Sequence, residues 1–75
     1  MSKLPLRDAK EVSKILQKMG FVLDRQHGSH MFFKHPDGRT TTIPSHGGEE
    51  IDRGLLNKII RKDIQIERDE FLKYC

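Results

Sequence analysis

Apolar residues recur early in the chain at the spacing of one face of a helix. They fall at positions i, i+3, i+4 and i+7, namely Val12, Ile15, Leu16 and Met19. Asp8 is a good N-cap, and Glu11 three residues later resembles the second member of a capping box. Gly20 is placed to end the helix in the left-handed conformation. The pattern therefore predicts a first helix over about residues 8–19, after a lead-in of residues 1–7.

Three short β-prone segments follow, and turn-forming residues separate each from the next. The strands are predicted at residues 21–26, 30–35 and 39–43. His27-Gly28-Ser29 forms the first turn and Pro36-Asp37-Gly38 the second. Because links this short join only antiparallel neighbours, the segments predict a three-stranded meander.

After a predicted loop at residues 44–50, the apolar pattern returns to the helical period. Asp52 can cap a second helix, whose buried stripe is Leu55, Leu56, Ile59 and Ile60. A short acidic segment ending in Phe71, Leu72 and Tyr74 predicts a third, short helix. The expected fold is α+β, with the helices on one face of the sheet and the other face open to solvent.

Size and composition narrow the function classes. Residues 1–75 form a single domain, too short for a barrel or a dinucleotide-binding sheet. No apolar segment approaches the ~20 residues of a membrane helix, and the N-terminus lacks the apolar core of a signal peptide, so a cytoplasmic location is expected. The single cysteine, Cys75, excludes an internal disulfide and a four-thiolate zinc site.

Positive charge is concentrated in the first two-thirds of the molecule. Residues 1–48 carry eight basic and four acidic side chains, a net charge of +4, whereas residues 49–75 carry six and seven, a net charge of −1. A basic face attracts polyanions, of which nucleic acid is the usual one.

The second strand offers the most specific chemistry. Side chains alternate along a strand, so His30, Phe32 and Lys34 share one face while Met31 and Phe33 share the other. If the second set faces the helices, the first set lies on the open face. There Phe32 could stack on an RNA base, and Lys34 could hold a phosphate. Imidazole ordinarily titrates at about pH 6.5, so His30 could give or take a proton near neutrality.

Other chemistries fit the residues less well. The side chains of Ser29 and His30 diverge in an extended segment, which disfavours a serine nucleophile activated by its neighbour. The histidines His27, His30, His35 and His46 could be zinc ligands, but no cysteine pair or helical histidine pair accompanies them. Each of these residues also has a purely structural interpretation, as a core or solvated side chain.

Four ordered segments together resemble the HicA toxin family, and the match covers about residues 8–72. They are Gly-Phe-Val-Leu-Asp-Arg-Gln-His-Gly-Ser-His at 20–30, Phe-Lys-His-Pro-Asp-Gly-Arg at 33–39, Ile-Pro at 43–44 and Arg-Gly-Leu-Leu-Asn-Lys-Ile-Ile at 53–60. The resemblance implies a double-stranded-RNA-binding-like α-β-β-β-α fold. It also implies the toxin of a type II toxin–antitoxin system, an endoribonuclease (mRNA interferase) with no known metal cofactor.

The family's Gly-Ser-His motif corresponds to Gly28, Ser29 and His30, and it implies that His30 is catalytic. His30 would act as general base on a ribose 2′-hydroxyl or as general acid at the leaving oxygen. His27, His35 and bound water are the candidates for the second proton-transfer group. The expected RNA-binding residues are Arg25, His27, Gly28, Ser29, Phe32, Lys34 and Arg39.

The resemblance further implies a HicB antitoxin as partner, which would cover the active face. Two alternatives stay open on the residues alone. One is a non-catalytic RNA-binding module of the same fold, and the other is a protein-interaction domain whose basic face meets an acidic partner.

Overall fold

A computed structural model describes residues 7–45 and 49–74, and it confirms the α+β class and the α-β-β-β-α order with a short C-terminal helix. The predicted lead-in up to residue 6, His46 with the Gly47-Gly48 pair, and Cys75 lie outside the described residues. The elements are α1 (Ala9–Lys18), β1 (Val22–His27), β2 (His30–Lys34), β3 (Thr40–Pro44), α2 (Arg53–Lys58) with a π-helical continuation (Ile59–Ile64), and α3 (Arg68–Leu72).

Asp8 caps α1 as predicted. Its Oδ1 accepts the backbone N–H of Glu11 at 2.9 Å, which satisfies a donor that the helix leaves without a partner. The carboxylate of Glu11 accepts from Arg7 at 3.0 Å. The helix therefore begins with the expected N-cap. Glu11, the acidic residue of its first turn, forms an ion pair with Arg7, which precedes the N-cap.

Gly20 ends α1 in the expected left-handed conformation, with φ of 102°. The backbone N–H of Phe21 donates to Leu16 O at 2.9 Å, and that of Gly20 donates to Gln17 O at 3.0 Å. These two bonds form a Schellman motif. A Cβ built on Gly20 would lie 3.0 Å from Nε2 of His35, so a side chain there would require the imidazole to move by a few tenths of an ångström.

The sheet has the predicted meander order β1-β2-β3, antiparallel throughout, with β1 and β3 at its edges. Each strand differs from its predicted bounds by one residue at one or both ends. The β1–β2 register shifts between Leu23 and Arg25, so β1 contains a bulge.

One face of the sheet packs on the helices. Phe33 of β2 and Ile43 of β3 are buried in the core, and Met31 packs against it. The remaining core residues include six of the eight members of the predicted helical stripes, at Val12, Ile15, Leu16, Leu56, Ile59 and Ile60, while the other two, Met19 and Leu55, are partly buried against the core. The helices therefore occupy the same side of the sheet, as predicted, and leave the opposite side uncovered by any described element.

The second helix departs from the ordinary α-helix that its pattern predicts. Asp52 caps it as expected by accepting the N–H groups of Gly54 and Leu55, but Ile59–Ile64 is π-helical. The segment ends at Gln65, which has φ of 62°, and Ile66 N donates to Ile60 O at 3.1 Å. Ile64, in this segment, is fully buried in the core.

The terminal helix α3 packs as predicted through Phe71, which is fully buried, with Leu72 and Tyr74 partly buried against the core. Within the described residues, no helix is both long enough and apolar enough to cross a membrane.

Asp37 links three parts of the β2–β3 turn. Its Oδ1 accepts the backbone N–H of Arg39 at 3.0 Å, and its Oδ2 accepts Nε of Arg39 at 2.8 Å. Nδ1 of His35 lies 3.0 Å from Oδ1. The bond from the Arg39 backbone, with the nearby charge of Arg39, lowers the pKa of Asp37 below its ordinary value.

Because the folded state holds this carboxylate ionised, its contribution to stability is present above the ordinary aspartate value of about pH 3.9 and is lost as the pH falls through the lowered value. Asp37→Asn should therefore decrease the free energy of unfolding at pH 7. The difference between the unfolding free energies of wild type and Asp37→Asn should decrease as the pH falls and vanish in strong acid. Urea denaturation at several pH values from 7 to 2.5 measures both free energies. Glu49→Gln, at an exposed position, is the control and should differ little at any pH; a constant Asp37→Asn deficit would contradict the electrostatic origin.

Candidate nucleic-acid interface

Side chains alternate between the two faces of β2, and His30 lies on the open face. Phe33 is 1% exposed and Met31 packs on the core, so both point to the helices. His30 and Lys34 are exposed, and Phe32 is half-buried. Because successive strand residues point to opposite faces, these three side chains lie in a row on the uncovered face of the sheet.

The register with β1 adds two side chains to this face. Arg25 is the partner of Phe32, and His27 is the partner of His30. The guanidinium carbon of Arg25 lies 5.0 Å from the centroid of the Phe32 ring, a cation–π contact that holds the two side chains together. The bulge between Leu23 and Arg25 sets this phase, because it shifts the pairing of the rest of β1 by one residue.

The register with β3 completes a shallow groove. Thr42 is opposite Phe32 and Thr40 is opposite Lys34. The groove has a volume of about 210 Å³, and its lining includes Arg25, Phe32, Lys34, Thr40 and Thr42. The two threonines were not among the residues predicted from the sequence. The sequence shows that they alternate with Thr41, but it does not show which residues of β2 lie opposite them, because that depends on the β2–β3 register.

The turn between β1 and β2 leaves its backbone accessible. Gly28 has φ of 56°, and nothing lies within 4 Å of the position that a Cβ would take. A positive φ at the first of two loop residues is the requirement of a type II′ hairpin turn. Ser29 O accepts the N–H of Ser45 at 2.6 Å, which ties the turn to the end of β3. The turn is thus held from one side while a ligand can approach Gly28 closely.

His35 is not brought to this site. Its Nε2 lies 3.1 Å from Met19 O, its Nδ1 accepts the N–H of Asp37 at 3.1 Å, and its ring meets Phe21 edge-on with centroids 4.9 Å apart. With both nitrogens engaged, and about 16 Å from His30 at roughly 3.3 Å per residue, His35 is a structural residue.

Arg39 also lies apart from the other predicted RNA-binding residues. Its Nη1 donates to Ile64 O at 2.6 Å, its Nε donates to Asp37, and its guanidinium carbon lies 5.2 Å from the ring centroid of Phe21. These contacts join the β2–β3 turn to the end of the π-helical segment. The guanidinium is therefore occupied in holding the fold together.

The predicted residues thus divide into two groups. The structure brings together Arg25, His27, Gly28, Ser29, His30, Phe32 and Lys34 on the open face and its first turn, and it places His35 and Arg39 at the second turn. In the described part of the chain no group of three or more His, Cys, Asp or Glu is arranged to hold a metal ion. His46, the fourth histidine of the zinc alternative, lies outside the described residues.

A second depression lies on the helical side and differs in chemistry. It has a volume of about 950 Å³ and is lined by both acidic and basic side chains, among them Arg61, Glu67, Glu70 and Lys73. It contains no histidine, and its mixed charges do not favour a polyanion as the open sheet face does.

Comparison with protein families gives the decisive finding. The model of the HicA toxin of bacterial toxin–antitoxin systems matches residues 9–66, which is most of the chain. The chain belongs to the HicA toxin family. It is therefore the toxin of a toxin–antitoxin system, and an antitoxin is its partner. The matched residues include the whole sheet and the turn that carries His30. A search of curated proteins gives no match.

Truncation of the two adjacent phenylalanines of β2 should have very different effects on the free energy of unfolding. Phe33→Ala should cost about 3–5 kcal/mol, as truncation of a buried phenylalanine does, and this approaches the whole stability of a small domain. Phe32→Ala should cost only about 1 kcal/mol, mainly its contact with Arg25. Urea denaturation followed by circular dichroism measures both. Equal losses would show that β2 does not present alternate faces to core and solvent.

Proposed function

We propose that this HicA toxin is a metal-independent endoribonuclease that cleaves mRNA, with His30 as its catalytic residue. The observation that carries the proposal is the row of His30, Phe32 and Lys34 on an uncovered sheet face, next to a turn with an accessible backbone. An exposed imidazole beside an aromatic ring and a cation supplies the three contacts that RNA cleavage needs, which are proton transfer, base stacking and phosphate binding.

The reaction would use the RNA itself as nucleophile. A 2′-hydroxyl attacks the adjacent phosphorus when a base removes its proton, and the leaving 5′-oxygen takes a proton from an acid. His30 is exposed and so can reach either oxygen of a bound strand. Imidazole is suited to both roles because it exchanges protons near neutral pH. No step requires a metal ion, which is why the proposal includes none.

Substrate binding would use the groove beside His30. Arg25 and Lys34 provide the positive charges for phosphates, and a base can stack beside the Phe32 ring or on the Arg25 guanidinium that lies over it. Gly28 and Ser29 would let a phosphate approach the turn backbone. Arg39 is left out of the proposed contacts, because its guanidinium is bonded to Ile64 and Asp37.

Silencing of the toxin would use the same surface. An antitoxin of the HicB type that lies over the open face would cover Arg25, His30 and Lys34 together, since all three are exposed on it. A partner with acidic groups would match the two cations there. Inhibition would then follow from direct exclusion of RNA.

His30→Ala should leave the fold intact and reduce RNA cleavage by about 10²–10⁴-fold, the usual contribution of a proton-transfer group. The measurement is the rate of shortening of a labelled RNA on a denaturing gel, with circular dichroism to check the fold. Wild-type cleavage should persist in EDTA. Full activity of purified His30→Ala would refute the catalytic role, and loss of wild-type activity in EDTA would refute metal independence. Binding without any cleavage by wild type would favour the non-catalytic RNA-binding module.

Lys34→Ala should weaken RNA binding in a salt-dependent way. Made in the His30→Ala background, it should reduce the slope of log K against log salt by about 0.7, the value for one phosphate contact with a single strand. Lys62→Ala removes the same charge from an exposed position on the helical side and is the matched control. Fluorescence anisotropy at several salt concentrations gives both slopes. Identical slopes for the two variants would place the phosphate contacts elsewhere.

A further inference from the structure

We propose that His27 is the second proton-transfer group, and that His27 and His30 act as an acid–base pair on one phosphodiester. The inference rests on the ribonuclease function proposed above. It is carried by the β1–β2 register, in which His27 and His30 are direct partners on either side of the two-residue turn. No other pair of histidines among the described residues is joined in this way by the sheet.

Direct cross-strand partners lie on the same face of a sheet, with Cβ atoms about 4.5–5.5 Å apart. Both histidines are exposed. The two imidazoles therefore stand side by side on the open face, and the Arg25–Phe32 pair, two rungs along the ladder, is the next pair on that face. A phosphate held between two such rings would have one ring on the side of the attacking oxygen and one on the side of the leaving oxygen.

The other candidates fit less well. Both ring nitrogens of His35 are engaged by Met19 and Asp37, about 16 Å from His30 at roughly 3.3 Å per residue. Asp24 also lines the groove, but it lies three residues along β1 from His27, roughly 10 Å away. Neither group shares a rung with His30.

The chemistry balances with these two groups and the RNA alone. One neutral imidazole takes the proton of the 2′-hydroxyl while the bond from O2′ to phosphorus forms. The bond from phosphorus to O5′ breaks, and the second, protonated imidazole gives its proton to O5′. The products are a 2′,3′-cyclic phosphate and a 5′-hydroxyl end. Proton exchange with water then restores both rings.

The test compares two forms of one RNA at a linkage that wild type cuts. One form is ordinary, and in the other the bridging 5′-oxygen is replaced by sulfur, which leaves without a proton. His27→Gln should lower kcat on ordinary RNA by about 10²–10⁴-fold with little change in KM. If His27 is the acid, sulfur should restore His27→Gln to within about tenfold of wild type and should not restore His30→Gln. If His30 is the acid, the restoration should be reversed. Selective restoration of either variant supports the pair.

A further variant separates proton transfer from phosphate binding. His27→Lys keeps a positive charge but remains protonated near neutrality, so it should stay as defective in kcat as His27→Gln when His27 is the base, and regain at most a small part of the activity when His27 is the acid. Circular dichroism confirms that each variant is folded.

Three results would overturn the pair while leaving the ribonuclease function intact. They are a His27→Gln rate within about threefold of wild type, full recovery by His27→Lys, and equal defects of both glutamine variants on the two substrates. A folded wild-type protein that cuts neither RNA would instead overturn the proposed function, and the pair with it.

Discussion

The burial of Phe33 is the constraint on which the candidate site depends. This ring lies in the core at 1% exposure, and it fixes the phase of side-chain alternation along β2. A slip of one residue would turn every side chain of the strand to the opposite face. Such a slip would bury the histidine and the lysine among apolar residues, where unpaired charge is costly. The burial of Phe33 therefore both stabilises the domain and keeps the polar side chains of β2 on the solvent side.

The neighbouring strands convert this row of residues into a surface. The bulge in β1 brings Arg25 opposite Phe32 and His27 opposite His30, and β3 adds Thr40 and Thr42 to the lining of the groove. The helices contribute no side chain to the lining of this groove. They pack on the other side of β2 and β3, where Phe33 and Ile43 are buried. In this small domain, the core and the candidate site thus lie on opposite faces of one sheet.

Local sequence was sufficient for the elements whose cause is local. The caps at Asp8 and Asp52, the glycine that ends α1 and the order of the strands all follow from residues close together in the chain. It was insufficient where a side chain finds a distant partner. In the sequence, Arg39 cannot be told from a cation on the solvated face of a strand. Its structural role depends on Ile64, which lies 25 residues later in the chain. His35 likewise contacts Met19, which lies 16 residues earlier in the chain. The spacing of apolar residues did not predict the π-helical turn at Ile59–Ile64.

The junction of Gly20 and His35 has a consequence for how the sequence can vary. Two independent restrictions act at residue 20, a left-handed backbone and an imidazole 3.0 Å from the nearest possible β-carbon. Asparagine, which tolerates the first restriction better than most residues, would still press its β-carbon against the ring, which would have to move by a few tenths of an ångström. A smaller residue 35 would remove this second restriction, but it would also release the carbonyl at the end of the helix and the loop amide of Asp37. The two positions should therefore change together in evolution or remain fixed together.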